Sequence, residues 1–101
     1  MTAEQVRDDL LERFGAEGIV AGRMFGSWAI LLDGKVIATF HGERAVFKLG
    51  RDSALLLDAL EGGAHLFDPS GKGRAMKDWL VVEGEPDLDE YLLESIALQR
   101  R

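Results

Sequence analysis

Between Gly22 and Gly50 the chain reads GRMFGSWAILLDGKVIATFHGERAVFKLG, three apolar-rich runs parted by two short polar breaks. Alternation and the β-branched and aromatic content predict three antiparallel strands. The first break is Asp33-Gly34, a dipeptide favoured in type I′ hairpin turns because both central residues need positive φ. The second is His41-Gly42-Glu43-Arg44. A two-residue loop at Asp33-Gly34 sets Leu32 opposite Lys35, Leu31 opposite Val36, Ala29 opposite Ala38 and Ser27 opposite Phe40. Pairing Phe40 with Ala45 then sets Ala38 opposite Phe47 and Val36 opposite Leu49. With side chains alternating along each strand, Ala29, Leu31, Val36, Ala38, Phe40, Ala45, Phe47 and Leu49 share one face, the predicted core. Trp28, Ile30, Leu32, Ile37, Thr39 and Val46 share the other with Lys35 and Lys48. That mixture of apolar, aromatic and basic groups suits recognition. Trp28, Ile30, Ile37, Val46 and Lys48 therefore form the candidate interaction surface.

Amphipathic runs bracket this meander. Thr2-Ala3-Glu4-Gln5 is a capping-box pattern. Val6, Leu10 and Phe14 follow at i, i+4 and i+8 with Leu11 beside them, which predicts a first helix ended by Gly15 and Gly18. Val20 to Phe25 is either the leading strand of the sheet or the start of a bent one kinked at Gly26. Asp52 or Ser53 caps a second helix that runs through Glu61 and stops at Gly62-Gly63. Its ALLLDAL run is apolar on most sides and predicts a largely buried helix. Ala64 to Phe67 and Ala75 to Val82 predict a second hairpin around Asp68-Pro69-Ser70-Gly71-Lys72-Gly73. Pro86 leads into the capping box Asp87-x-x-Glu90 and a last helix with Leu88, Leu92 and Ile96 on one stripe. The order α-β-β-β-α-β-β-α predicts a single α+β domain over residues 1–101, with helices layered on an antiparallel sheet. Two layers leave one sheet face without helices, in keeping with the second apolar face. The order is also similar to the topology of bacterial secretion chaperones, a likeness that carries no function.

Composition narrows the function. With 101 residues, 47% of them hydrophobic, the chain can bury one core. The absence of cysteine excludes disulfides, thiolate zinc sites and thiol catalysis. The charged, amphipathic first helix is no signal peptide, and no apolar run approaches the roughly 20 residues of a membrane span. A cytoplasmic location is expected, with no membrane partner. Twelve basic residues against 18 acidic ones give a net charge of −6. Nucleic-acid binders concentrate Lys and Arg to displace counterions, so direct nucleic-acid binding is disfavoured.

Local chemistry adds little. Gly71-Lys72-Gly73-Arg74 lacks the glycine spacing, the Ser or Thr after lysine and the following helix of a phosphate loop, and reads as a hairpin turn. His41 and His65 have no partner at metal-ligand spacing and read as solvated or core histidines. Asp8-Asp9-Glu12 and Asp87-Asp89-Glu90 suit helix starts and solvent faces. Ser27 follows a glycine without the pattern of a nucleophile elbow. No catalytic, cofactor-binding or metal-ligating residue is assigned, and the chain is expected to be no enzyme.

Arg23-Met24-Phe25-Gly26, the strand ending in Asp33-Gly34, Phe47-Lys48-Leu49 and Met76-Lys77-Asp78-Trp79 together resemble the N-terminal domain of the TfoX/Sxy proteins. The resemblance covers nearly the whole chain. Ser27 stands where that family has a second glycine, and Val82-Glu83 where it has a proline. The resemblance implies a regulatory protein acting as a co-activator of competence genes alongside a DNA-bound regulator. It extends to the N-terminal domain alone, and the family's C-terminal helical domain has no counterpart within these residues, which weakens the transfer of that pathway. It also marks Arg23, Lys48 and Trp79. Arg23 and Lys48 either hold an acidic group of a partner or a small anion, or serve structurally. Lys48 can lie over Trp28, and Trp79 can fill the core. Two functions follow: a non-enzymatic protein-interaction module docking on a partner or a second copy, and a small-ligand or anion-binding domain with Arg23 and Lys48 converging.

Overall fold

The computed structural model describes residues 2–24, 26–68, 71, 73, 75–83 and 88–101. Helix α1 (Ala3–Phe14) opens the chain and passes through a 3-10 turn into strands β1 (Val20–Met24), β2 (Ser27–Leu32), β3 (Lys35–His41) and β4 (Arg44–Lys48). Helix α2 (Ala54–Glu61), strands β5 (His65–Phe67) and β6 (Met76–Glu83), and helix α3 (Leu88–Gln99) complete it. The fold is α+β, with six strands in one antiparallel sheet of order β1-β2-β3-β4-β6-β5. Of the two readings of 20–25, the separate leading strand is the one realised. Phe25 lies outside the described residues, as do Pro69, Ser70, Lys72 and Arg74 of the expected second turn and Pro86 and Asp87 of the last capping box.

The local signals act as their chemistry requires. The Thr2 hydroxyl accepts from the Gln5 backbone N–H at 3.2 Å, and the Gln5 side-chain carbonyl accepts from the Thr2 N–H at 2.8 Å. These bonds satisfy donors that a helix start leaves unpaired. Ser53, rather than Asp52, caps α2, and its hydroxyl also donates to Glu94 on α3 at 3.0 Å. Asp33 and Gly34 both have positive φ, at 53° and 77°, as a type I′ turn demands. The chain leaves α2 through Gly63, at φ 105°.

One residue reverses the expected faces. Leu32 pairs with Lys35 and Leu31 with Val36, as the turn requires. Ile30 then pairs with Ala38, so Ile37 has no partner on β2 and forms a β-bulge. Beyond the bulge the pairing is shifted by one residue: Ala29 meets Thr39 and Trp28 meets Phe40. A one-residue slip turns each side chain of a strand to the opposite face. Trp28, Ile30 and Leu32 therefore lie on the same side as Phe40, Phe47 and Leu49, and Ala29 and Leu31 on the other.

All three helices pack on the first side. Leu10 of α1, Leu56 of α2 and Leu92 and Ile96 of α3 meet Ile30, Leu32, Ile37, Ala38, Phe40, Phe47 and Leu80 in the main core. Phe40 and Phe47 meet edge to face with centroids 6.2 Å apart, and Tyr91 stacks on Phe47 at 5.7 Å. Helix α2 is less buried than its composition predicted: only Leu56 is fully inside, and Leu57 is 49% exposed. With eight residues it turns one stripe to the sheet, Leu56 with Ala59 and Leu60 beside it, and leaves Leu57 outward.

The second side is covered without helices. The β5–β6 pairing jumps from Leu66–Leu80 to Phe67–Met76, which bends this hairpin. Phe67, Trp79 and Met76 pack with Val46, Val81 and Val36 in a second cluster. Val46 and Val81 are fully buried there. The apolar second face exists, but the chain's own hairpin occupies it.

Candidate functional site

The expected interaction surface is not a surface. Ile30 and Ile37 lie at 0% exposure beneath the helices, and Val46, also at 0%, lies on the opposite side under Phe67 and Trp79. Trp28 is half-buried against the main core, with the Arg7 and Arg23 guanidinium carbons 4.9 and 4.5 Å from its ring centroid. Arg7 reaches across from α1, donates to the Gly22 carbonyl at 3.3 Å and pairs with Asp8 at 2.8 Å. The arginines hold the Trp28 edge of the sheet to α1. Lys48 pairs with Trp79 on the second side and does not cover Trp28.

Arg23 and Lys48 do not converge. Arg23 sits on β1 opposite Trp28, on the helix side. Lys48 sits on β4, on the other side, three strand spacings or about 14 Å away across the sheet. The anion contact drawn from these two residues is corrected by this topology. Trp79, at 7% exposure, takes the core-filling role.

The bulge creates a cluster that the unshifted register hides. Since Trp28 pairs with Phe40, the next position brings Ser27 across from His41 rather than Phe40. The Ser27 hydroxyl lies 2.7 Å from His41 Nδ1, and the Thr39 hydroxyl lies 3.1 Å from His41 Nε2. The imidazole lies beside Phe67, centroids 5.9 Å apart and the rings tilted by 34°. Burial, and secondarily the Arg44 charge, push the His41 pKa below its ordinary 6.5. Each ring nitrogen has a hydroxyl that can donate or accept, so the neutral ring is satisfied in either tautomer. The arrangement ties the start of β2 and the end of β3 to the β5–β6 hairpin. A serine hydroxyl beside an imidazole also has the reach of a nucleophile and base. The only sequence signal for it is the bulky set Trp28, Ile30 and Leu32, which fills a core better than Ala29 and Leu31.

A cleft of about 470 Å³ opens at the other end of the sheet, between α2, the β5–β6 edge and Tyr91 of α3. Its geometry follows from unequal strand lengths. Strand β5 pairs with β6 only as far as His65–Val81, while β6 runs on to Glu83. The chain turns away at Gly63, so Val82 and Glu83 have β4 on one side and no strand on the other among the described residues. Asp58, His65, Glu83 and Tyr91 are the ionisable side chains of the lining. Glu83 pairs with Arg44 at 3.3 Å, and both are exposed. The Asp58 carboxylate is exposed and makes no ion pair with the described residues. Lysine and arginine are absent from the described lining. Neither the site composition nor the fold-level reading of the sequence pointed here, because the cleft depends on where β5 ends.

Among the described residues, no three His, Asp or Glu side chains are grouped to hold a metal ion, and no helix is long and apolar enough to cross a membrane. No family model, curated protein or solved structure matches the chain.

Proposed function

We propose that this chain is a non-enzymatic protein-interaction module, regulatory and co-activator-like in kind, and that it binds through the cleft between α2, β6 and α3. The observation that carries this reading is the cleft of about 470 Å³ formed by α2, the end of β6 and Tyr91, on the side where no strand lies beyond His65 among the described residues. A concave space with a few polar groups among apolar ones seats a side chain or short segment of a partner. The resemblance to the TfoX N-terminal domain supplies the regulatory character. The net charge of −6 supports a protein partner, or a second copy, over nucleic acid. A cytoplasmic setting accompanies that role.

The anion-binding alternative loses its residues, because Arg23 and Lys48 face opposite sides of the sheet and the cleft lining is acidic. Gly62 lines the cleft at φ −82°, where any residue fits, so Gly62→Trp fills it without backbone strain. The test is affinity capture from the source cells together with sedimentation equilibrium of the purified chain. A stoichiometric partner or a dimer seen with the wild type and lost in Gly62→Trp, at unchanged melting temperature, supports the reading. Equal capture of a partner by both proteins, or a monomer with no partner, overturns it.

A further inference from the structure

We infer that two copies of this chain join edge to edge, their β1 strands pairing antiparallel about a two-fold axis at Gly22. The contact lies at the margin of the sheet opposite the cleft and does not depend on it. Strand β1 pairs with β2 alone, and its Val20, Ala21 and Arg23 are exposed. Met24 and Ser27 form the last pair of this hairpin, with two residues between them in the chain. The closing pair of such a hairpin exchanges main-chain bonds, and bonded and unbonded pairs then alternate along the ladder. Met24, Gly22 and Val20 therefore turn their main-chain groups to β2, and Ala21 and Arg23 turn theirs outward. Outward groups of this kind are a template for a further strand.

A second copy is the occupant because the edge is complementary to itself. A two-fold axis at Gly22 sets Ala21 against Arg23 of the second copy, and Val20 against its Met24. The outward residues of each strand thus meet the outward residues of the other. On the second side of the sheet, Val20 is 56% exposed, the most exposed large hydrophobic side chain among the described residues. The Leu31 Cδ1 occupies the place where a Cβ on residue 22 would stand, so glycine there lets Leu31 cross β1 towards the edge. Val20, Met24 and Leu31 then continue one apolar strip across the axis. Charge matches on the helix side. Arg23 lies over Trp28 and makes no ion pair among the described residues. Asp8 is bound to Arg7, which also donates to the Gly22 carbonyl, so its carboxylate stands near β1 with its side chain 53% exposed. Arg23 of one copy, seated opposite Ala21 of the other, comes beside that Asp8. Such an interface is the same patch on both copies, as a two-fold requires. Five-residue strands bury little area, so the dimer forms and dissociates with concentration.

The test is sedimentation equilibrium of the whole chain from about 10 μM to about 1 mM, a range that brackets weak specific association. Amide exchange is followed by NMR over the same range. The average mass is expected to rise towards twice the monomer's. Exchange at Ala21 and Arg23 is expected to slow with concentration while exchange at Gly22 does not. Ala21→Pro removes an outward N–H, a substitution that edge strands accept, and is expected to weaken the dimer at least about tenfold at an unchanged melting temperature in dilute solution. Asp8→Arg and Arg23→Asp are each expected to weaken it too, and an equimolar mixture of the two is expected to recover it, because each cation then faces a carboxylate. A monomer throughout, a dimer as tight in Ala21→Pro as in the wild type, or a mixture no tighter than its components overturns the inference. A dimer kept in Ala21→Pro and lost in Gly62→Trp also overturns it, and leaves the cleft as the contact.

Discussion

The bulge at Ile37 can be tested by replacing that side chain. In the shifted register Ile37 is at 0% exposure inside the main core, among residues of α1, α3 and three strands. Ile37→Ala removes three carbons. At about 0.8 kcal/mol for each buried methylene, the transfer loss is about 2.4 kcal/mol. A residual cavity of roughly 60 Å³ adds about 1.5 kcal/mol at about 24 cal/mol per Å³. The sum, about 4 kcal/mol, compares with a total stability of about 5 to 15 kcal/mol for a domain of this size. A melting temperature lower by roughly 15 to 30 °C is expected. Ile37→Asp adds an unpaired buried carboxylate and is expected to leave no folded population. The assay is thermal and urea unfolding followed by circular dichroism, with Val20→Asp as the control. Val20 is 56% exposed at the sheet edge, and its substitution is expected to cost less than about 1 kcal/mol. If Ile37→Asp folds with a near-native melting temperature, Ile37 is on an open face, the register is unshifted, and the account of both sheet faces is wrong.

Two further outcomes follow from local chemistry. The His41 pKa is lowered in the folded chain, so near and below pH 6.5 the unfolded chain binds more protons than the folded one. Stability should therefore be fully present above pH 6.5 and fall as the pH drops towards 5, and His41→Gln should remove that part of the slope, as measured by urea unfolding at stepped pH. Thr2→Ala removes one arm of the capping box and should cost about 1 kcal/mol, read by the same unfolding assay and by faster amide exchange in the first turn of α1.

Much of the fold was legible because the signals are local. A threonine three residues before a glutamine, a serine before an apolar run, Asp-Gly between two strands and a glycine pair after a helix each act within a few residues. Helix positions, both hairpins, the antiparallel pairing and the α+β class follow from them. The candidate site was not legible in the same way. Asp58, His65 and Glu83 are separated along the chain by 7 and then 18 positions, and meet because β5 stops where β6 continues.

The chain alone determined which segments are helical, which are extended, where they turn, and that the sheet has two apolar sides. The tertiary structure decided what covers each side. Packing the bulky Trp28, Ile30 and Leu32 under the helices requires one extra residue in β3, and Ile37 supplies it. That choice minimises exposed apolar surface over the whole molecule, a sum over distant contacts that no window of neighbouring residues contains. The same sum packs Phe67, Met76 and Trp79 with Val46 and Val81 on the second side.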